Sequence, residues 1–271
     1  MRAPRRQKPV LIAEDGLQRG KVRTGMAWEV LYPSGSVPRL ERLQAAFNAV
    51  GDDESRMPAL SCQRLVIPAS GYPTIECMVG GLGFDIAAIG VWNREEHAAI
   101  EHCFDVEPDT FFNRAGLTIV PGPDIANMAH AMQVVRAGAM LVRRIIDFKS
   151  PLAIVWRPIG SAMEPGYFRR VVDAWLAGGP FPALGMVGLR SAPDGGLHSH
   201  GLALFTGQEL RLDPAIAEAG SEGWALAARL IDRLVESDAV QSPLELSGEG
   251  GRTIRLAPSA NGRFVVVEWS E

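Results

Sequence analysis

Apolar segments in this chain are short, and proline or glycine turns close them one after another. Met26 to Tyr32 stops at Pro33-Ser34-Gly35-Ser36, Leu117 to Val120 at Pro121-Gly122-Pro123, and Leu152 to Trp156 at Pro158-Ile159-Gly160. Leu184 to Leu189 runs into Pro193-Asp194-Gly195-Gly196. Turns of this kind force repeated chain reversal and leave no run near the ~18 apolar residues that a membrane span needs. With 47% hydrophobic and 21% charged residues over 271 positions, disordered and collagenous classes are excluded and a large core is expected.

The segments between turns alternate in type. Met26 to Tyr32 reads as a strand, followed by a helix in which Leu40, Leu43, Phe47 and Val50 recur at helical spacing. Leu60 to Ile67, Thr74 to Val79 and Phe84 to Trp92 read as strands, and Gly80-Gly81 as a hairpin turn. Asp124 is expected to cap the longest helix, running to about Phe148, whose apolar residues fill more than one stripe and predict burial. A strand Leu152 to Trp156, a helix from Glu164-Pro165, and a hairpin of Leu184 to Leu189 with Gly201 to Phe205 follow. A helix from Pro214 to about Val235 and strands at Leu244-Leu246, Thr253-Leu256 and Phe264-Trp269 complete the chain. The fold class is therefore α+β: a mixed, largely antiparallel sheet with packed helices, in which a strand-helix-strand-strand unit recurs. Residues 1–25 are expected to be a flexible basic segment and 26–271 a single α+β domain, with two fused lobes, 26–112 and 113–271, as the alternative.

The formal net charge is -4, from 27 basic and 31 acidic residues. Four of the basic residues, Arg2, Arg5, Arg6 and Lys8, cluster at the N-terminus, so 23 against 31 remain and the body stands near -8. No overall basic field exists for nucleic acid or a membrane surface. The apolar stretch Val10-Leu11-Ile12-Ala13 is too short for a signal-peptide core. Cys62, Cys77 and Cys103 are odd in number and none lies in a Cys-x-x-Cys pair, so buried reduced thiols and a cytoplasmic location are expected.

Strong catalytic signatures are missing: no phosphate-loop, His-Glu-x-x-His or Gly-x-Ser-x-Gly pattern occurs. The most chemical-looking group is His198-Ser199-His200 with Glu209. Residues two apart on a strand share a face, so both imidazoles could reach one divalent metal ion with the Glu209 carboxylate as third ligand. The competing reading puts these histidines at a hairpin end with no metal. Trp156-Arg157, at the end of a buried strand, could mark a pocket, or a packing tryptophan beside a paired arginine. His97, His102 and His130 are not aligned for joint ligation, and the pairs Asp52-Asp53 and Glu95-Glu96 look like solvated faces.

The order of Leu117-Thr118-Ile119-Val120, the long helix through Ala129, Val135 and Leu141, and Ala153-Ile154-Val155-Trp156, together with the block Gly201 to Leu210, resembles the bacterial domain of unknown function 4261. The resemblance spans about residues 115 to 270 and implies a bacterial cytosolic α+β protein, with no catalytic residues to carry over. The function expected is a non-catalytic protein-binding module of the accessory or immunity type, partnered by another protein and needing no cofactor. The alternative is a metal-dependent enzyme using His198, His200 and Glu209. Trp92, Trp175 and Trp269 are the aromatic side chains expected at a partner surface.

Overall fold

The computed structural model describes residues 26–49, 60–66, 73–91, 100–129, 131–237, 239–247 and 252–270. The basic N-terminal segment, the two carboxylate pairs, Trp92, His97 and His130 lie outside the described residues. The chain is an α+β protein built on two mixed, largely antiparallel sheets with packed helices.

The strands of the first sheet are β1 (Trp28–Leu31), β2 (Leu60–Val66), β3 (Thr74–Val79), β4 (Leu82–Ile89), β5 (His102–Phe104), β6 (Gly116–Pro121), β7 (Ala153–Trp156) and β8 (Ser161–Met163). Those of the second are β9 (Gly188–Ser191), β10 (Leu197–His200), β11 (Glu209–Leu212), β12 (Leu244–Ser247), β13 (Thr253–Pro258) and β14 (Phe264–Trp269). Four longer helices, α1 (Leu40–Ala49), α2 (Met132–Phe148), α3 (Pro165–Leu176) and α4 (Ser221–Val235), pack with them. Edge to edge the sheets run β2-β3-β4-β6-β1-β7-β8-β5 and β12-β13-β14-β11-β10-β9.

These orders share a plan. In each, one strand leads through a helix into a three-stranded meander and runs in the same direction as the meander's last strand. β11 pairs with β14 in parallel, whereas β1 is related to β4 through β6, antiparallel to both. On the other side β7 and β8 stand against β1 as β10 and β9 stand against β11, each step antiparallel. The recurrence is thus one of strand order and direction, with β6 inserted into the first sheet. Strands on both sides of residue 112 pair within that sheet, since β1 takes β6 and β7 as neighbours.

One core joins the two sheets. Trp28 tilts against Trp156 (ring centroids 4.3 Å apart) and meets Phe168 edge-on, while Phe181 meets Trp175 on one side and Phe205 on the other. Helix α2 buries Val134, Val135, Leu141, Val142, Ile145 and Ile146, as its multiple apolar stripes predict. It begins at Met132, however; Pro123–Met128 forms a separate 3-10 turn, and Asp124 makes no cap. At α3 the expected start is met, since the Glu164 carboxylate accepts from Tyr167 N (2.8 Å). Gly80 and Gly81 both adopt positive φ between β3 and β4, as a two-residue hairpin turn requires.

The expectation of three reduced thiols is corrected. Cys62 and Cys77 are direct partners on β2 and β3, their Cα atoms 4.2 Å apart, and form a disulfide. That separation suits a non-hydrogen-bonded cross-strand pair, whose side chains lie closest together. Local sequence gave no sign of it, because the pairing depends on register. Cys103 is free and exposed, and partial desolvation of its thiol, then the nearby Glu107 charge, hold it above the usual range. Among the described residues no helix is long and apolar enough to cross a membrane, and the disulfide leaves the compartment open.

Two edge strands carry features that oppose further pairing. Pairing with Cys77 turns the Cys62 backbone amide and carbonyl outward, where the Asn48 side chain of α1 takes both: Oδ1 accepts from Cys62 N (2.8 Å) and Nδ2 donates to Cys62 O (2.9 Å). Asn48 thereby stands in for a further strand, and β2 also carries a bulge between Cys62 and Arg64. Edge strand β12 is four residues long, follows Pro243 and carries Glu245.

Candidate functional site

The histidine-bearing end of the second sheet holds the residues that sequence reasoning singled out. Leu197 and Ser199 of β10 point into the core, and His198 and His200 lie half-buried on the opposite face. The two histidines therefore share a face, as the period of a strand requires.

Glu209, the third residue of that set, is engaged by the bend that follows β10. Its Oε1 accepts from Gly201 N (2.8 Å), and its Oε2 accepts from Leu202 N (3.1 Å) and from Ser199 Oγ (2.5 Å). Ser199 Oγ in turn accepts from Leu210 N (2.7 Å). The carboxylate caps the bend where β10 passes into the helical turn Ala203–Thr206. Among the described residues, no group of three His, Cys, Asp or Glu is arranged to hold a metal ion.

The same bend corrects the hairpin read from sequence. Gly188–Ser191 and Leu197–His200 pair with register His200↔Gly188 and Leu197↔Ser191. Residues 203–206, expected as the second strand, are helical, and residues 183–186 form a helical turn before β9. Two interactions distant in sequence decide this. Gly201 has φ +94, with the space for a Cβ filled by the Ile159 side chain, and Glu209 captures the two amide groups that would have continued the ladder. The predicted helix from Pro214 is likewise divided, into a turn Pro214–Ala217 and α4, at Gly220 with φ +59.

Gln208 completes the block. It is only 5% exposed; its Nε2 donates to Val240 O and Gly262 O (both 3.1 Å), and its Oε1 accepts from Val240 N (2.8 Å). Ser199, Gln208 and Glu209 are thus satisfied by backbone and by one another, as buried polar groups must be.

Trp156 is a core residue, 1% exposed, with its indole Nε1 donating to Met186 O (3.2 Å). Arg157, next in chain, leaves the core and lies 3.7 Å from Glu29. The pair is brought together as a packing tryptophan with a charge-paired arginine.

Sequence reasoning missed the surroundings of the histidines. His102 of β5, at the edge of the first sheet, packs against Gly188 of β9, at the edge of the second; a Cβ on Gly188 would lie 2.5 Å from His102 Nε2. Glu101, just before β5, forms an ion pair with Arg190 of β9. Ser161 Oγ donates to Gly185 O (2.6 Å), fixing β8 to the turn before β9. These residues are far apart in sequence, and only the meeting of two sheet edges unites them.

The outer face of the second sheet can be followed by register. Arg190, His198, Arg211, Val266 and Ala257 lie in one row across β9, β10, β11, β14 and β13, with Arg255 opposite Glu268 beside it (Nη1 to Oε1 2.5 Å). Arg211 pairs with Asp194, whose carboxyl is held below its usual range by the Gly196 amide and then by Arg211. No family model matches this chain, and neither a curated protein nor a solved structure matches it.

Proposed function

We propose that the protein is a non-catalytic protein-binding module, of the accessory or immunity type, whose partner docks on the outer face of the second sheet. The observation that carries this reading is the row Arg190, His198, Arg211, Val266 and Ala257. It places charged, imidazole and half-exposed apolar side chains side by side on one sheet face, the mixture that suits a protein surface. The engagement of Ser199, Gln208 and Glu209 by backbone supports the same reading, because the polar residues beside the row have structural partners.

The test is capture from the native host with chemical crosslinking, using the wild-type chain and a variant carrying Arg211→Glu and Val266→Asp. The expected outcome is one stoichiometric protein crosslinked to β10, β11 or β14 and lost in the variant. Absence of such a partner, or capture that both chains share equally, would overturn the proposal. Elemental analysis of the same sample is expected to find no stoichiometric transition metal.

A further inference from the structure

We propose that His102 makes the seam between the two sheets acid-labile: its imidazole is seated neutral against Gly188, and the proton that it takes up at mildly acidic pH loosens the contact of β5 with β9. The inference does not depend on the docking face.

The seat is defined by shape. Gly188 leaves no room for a side chain, and His102 fills that room with its Nε2 edge. Nε2 is buried and has no hydrogen-bond partner among the described residues. A neutral imidazole tolerates this position, because an unprotonated ring nitrogen facing carbon forfeits one accepted hydrogen bond. A protonated one must bury an N–H and a positive charge without an acceptor, which costs far more.

Every element packed there bears on that proton. From the residue before β5, Glu101 favours the charged ring; from β9, Arg190 opposes it; from β10, His200 opposes it; β8 offers Ser161, whose hydroxyl is already engaged with Gly185 O. Burial is the largest influence, and together these hold His102 below the ordinary histidine range. Glu101 Oε2 is taken by Arg190, whose Nε is also buried without a hydrogen-bond partner among the described residues.

The sign follows from linkage. His102 binds its proton less readily in the folded chain than in the unfolded one, so its contribution is fully present above about pH 6.5 and is lost as pH falls below that value. Ser161 and Trp156, which hydrogen-bond across the same seam, contain no group that titrates in this interval.

Thermal unfolding of the full chain between pH 7.5 and 5.5 tests the idea against His102→Phe and His102→Gln. The wild-type Tm is expected to fall across this interval by roughly 2–4 °C more than that of either variant. In the wild-type protein the His102 ring resonances, assigned by through-bond NMR correlation, are expected to titrate below the ordinary histidine range. His200→Gln is expected to move the His102 midpoint upward. Equal pH slopes in the wild type and the folded variants, or a His102 titration at or above the ordinary histidine value, would overturn the proposal; the NMR readout stands even if neither variant folds.

Discussion

The two sheets share an order of strands and directions but are secured by different means. In the first, a covalent bridge between Cys62 and Cys77 and a side-chain clamp from Asn48 hold the outer meander strand. In the second, the corresponding meander has no cysteine, and the fixing groups are the side chains of Ser199, Gln208 and Glu209, gathered around the strand that leads into it. The difference teaches that a dense run of polar residues can serve backbone geometry alone. A histidine pair followed by a glutamate looked like ligands by spacing, whereas the glutamate is the fixed point of a bend.

The comparison can be broken most directly at Gly201. Gly201→Val places a branched side chain at a positive φ and against Ile159, and is expected to remove about 3 kcal/mol or more, measured by denaturant unfolding. Should this variant be as stable as the wild type, the φ of Gly201 and its contact with Ile159 do not fix the bend. Opening the Cys62–Cys77 bridge, which spans 15 residues, is expected to cost about 3 kcal/mol by loop entropy, read as a lower Tm in reductant or in Cys62→Ala/Cys77→Ala. A reductant-insensitive Tm would place the security of the first sheet elsewhere. Asn48→Ala leaves the outward amide and carbonyl of Cys62 without this clamp and is expected to cost about 1–2 kcal/mol. It should also raise concentration-dependent association in sedimentation experiments, since an edge is uncovered. The smallest effect is expected at Tyr32, wholly buried on the core face of the first sheet with a hydroxyl that has no partner among the described residues. Tyr32→Phe should leave stability unchanged or raise it by up to about 1 kcal/mol, and a clear loss would reveal a hidden acceptor.

Much of the fold was legible because strands and helices here carry their period locally. The meanders at 60–89 and 244–269, the buried character of α2 and the Glu164 start of α3 all follow from apolar spacing and turn residues. What failed did so for one physical reason. The end of β10 at Gly201, the break before α4 at Gly220 and the disulfide between β2 and β3 depend on a backbone angle or on partners distant in sequence, which no local window contains. The candidate site was legible only in part. His198 and His200 do share a face, but His102 and Glu101, which meet them and Arg190 from the edge of the other sheet, are distant in sequence, and Trp156 carries no visible mark of its hydrogen bond to Met186.

The central place of β1 sets the order in which this protein can be finished. Trp28 has Ile119 on one side and Trp156 on the other, so a strand made among the first must wait for two segments made much later. A ribosome releasing the chain from its N-terminus would expose Val30 and Tyr32 until β6 and β7 emerged, and the first sheet would close only once β8 followed. The second sheet, with all of its strands between 188 and 269, assembles from its own neighbours and could form as soon as its last strand appears.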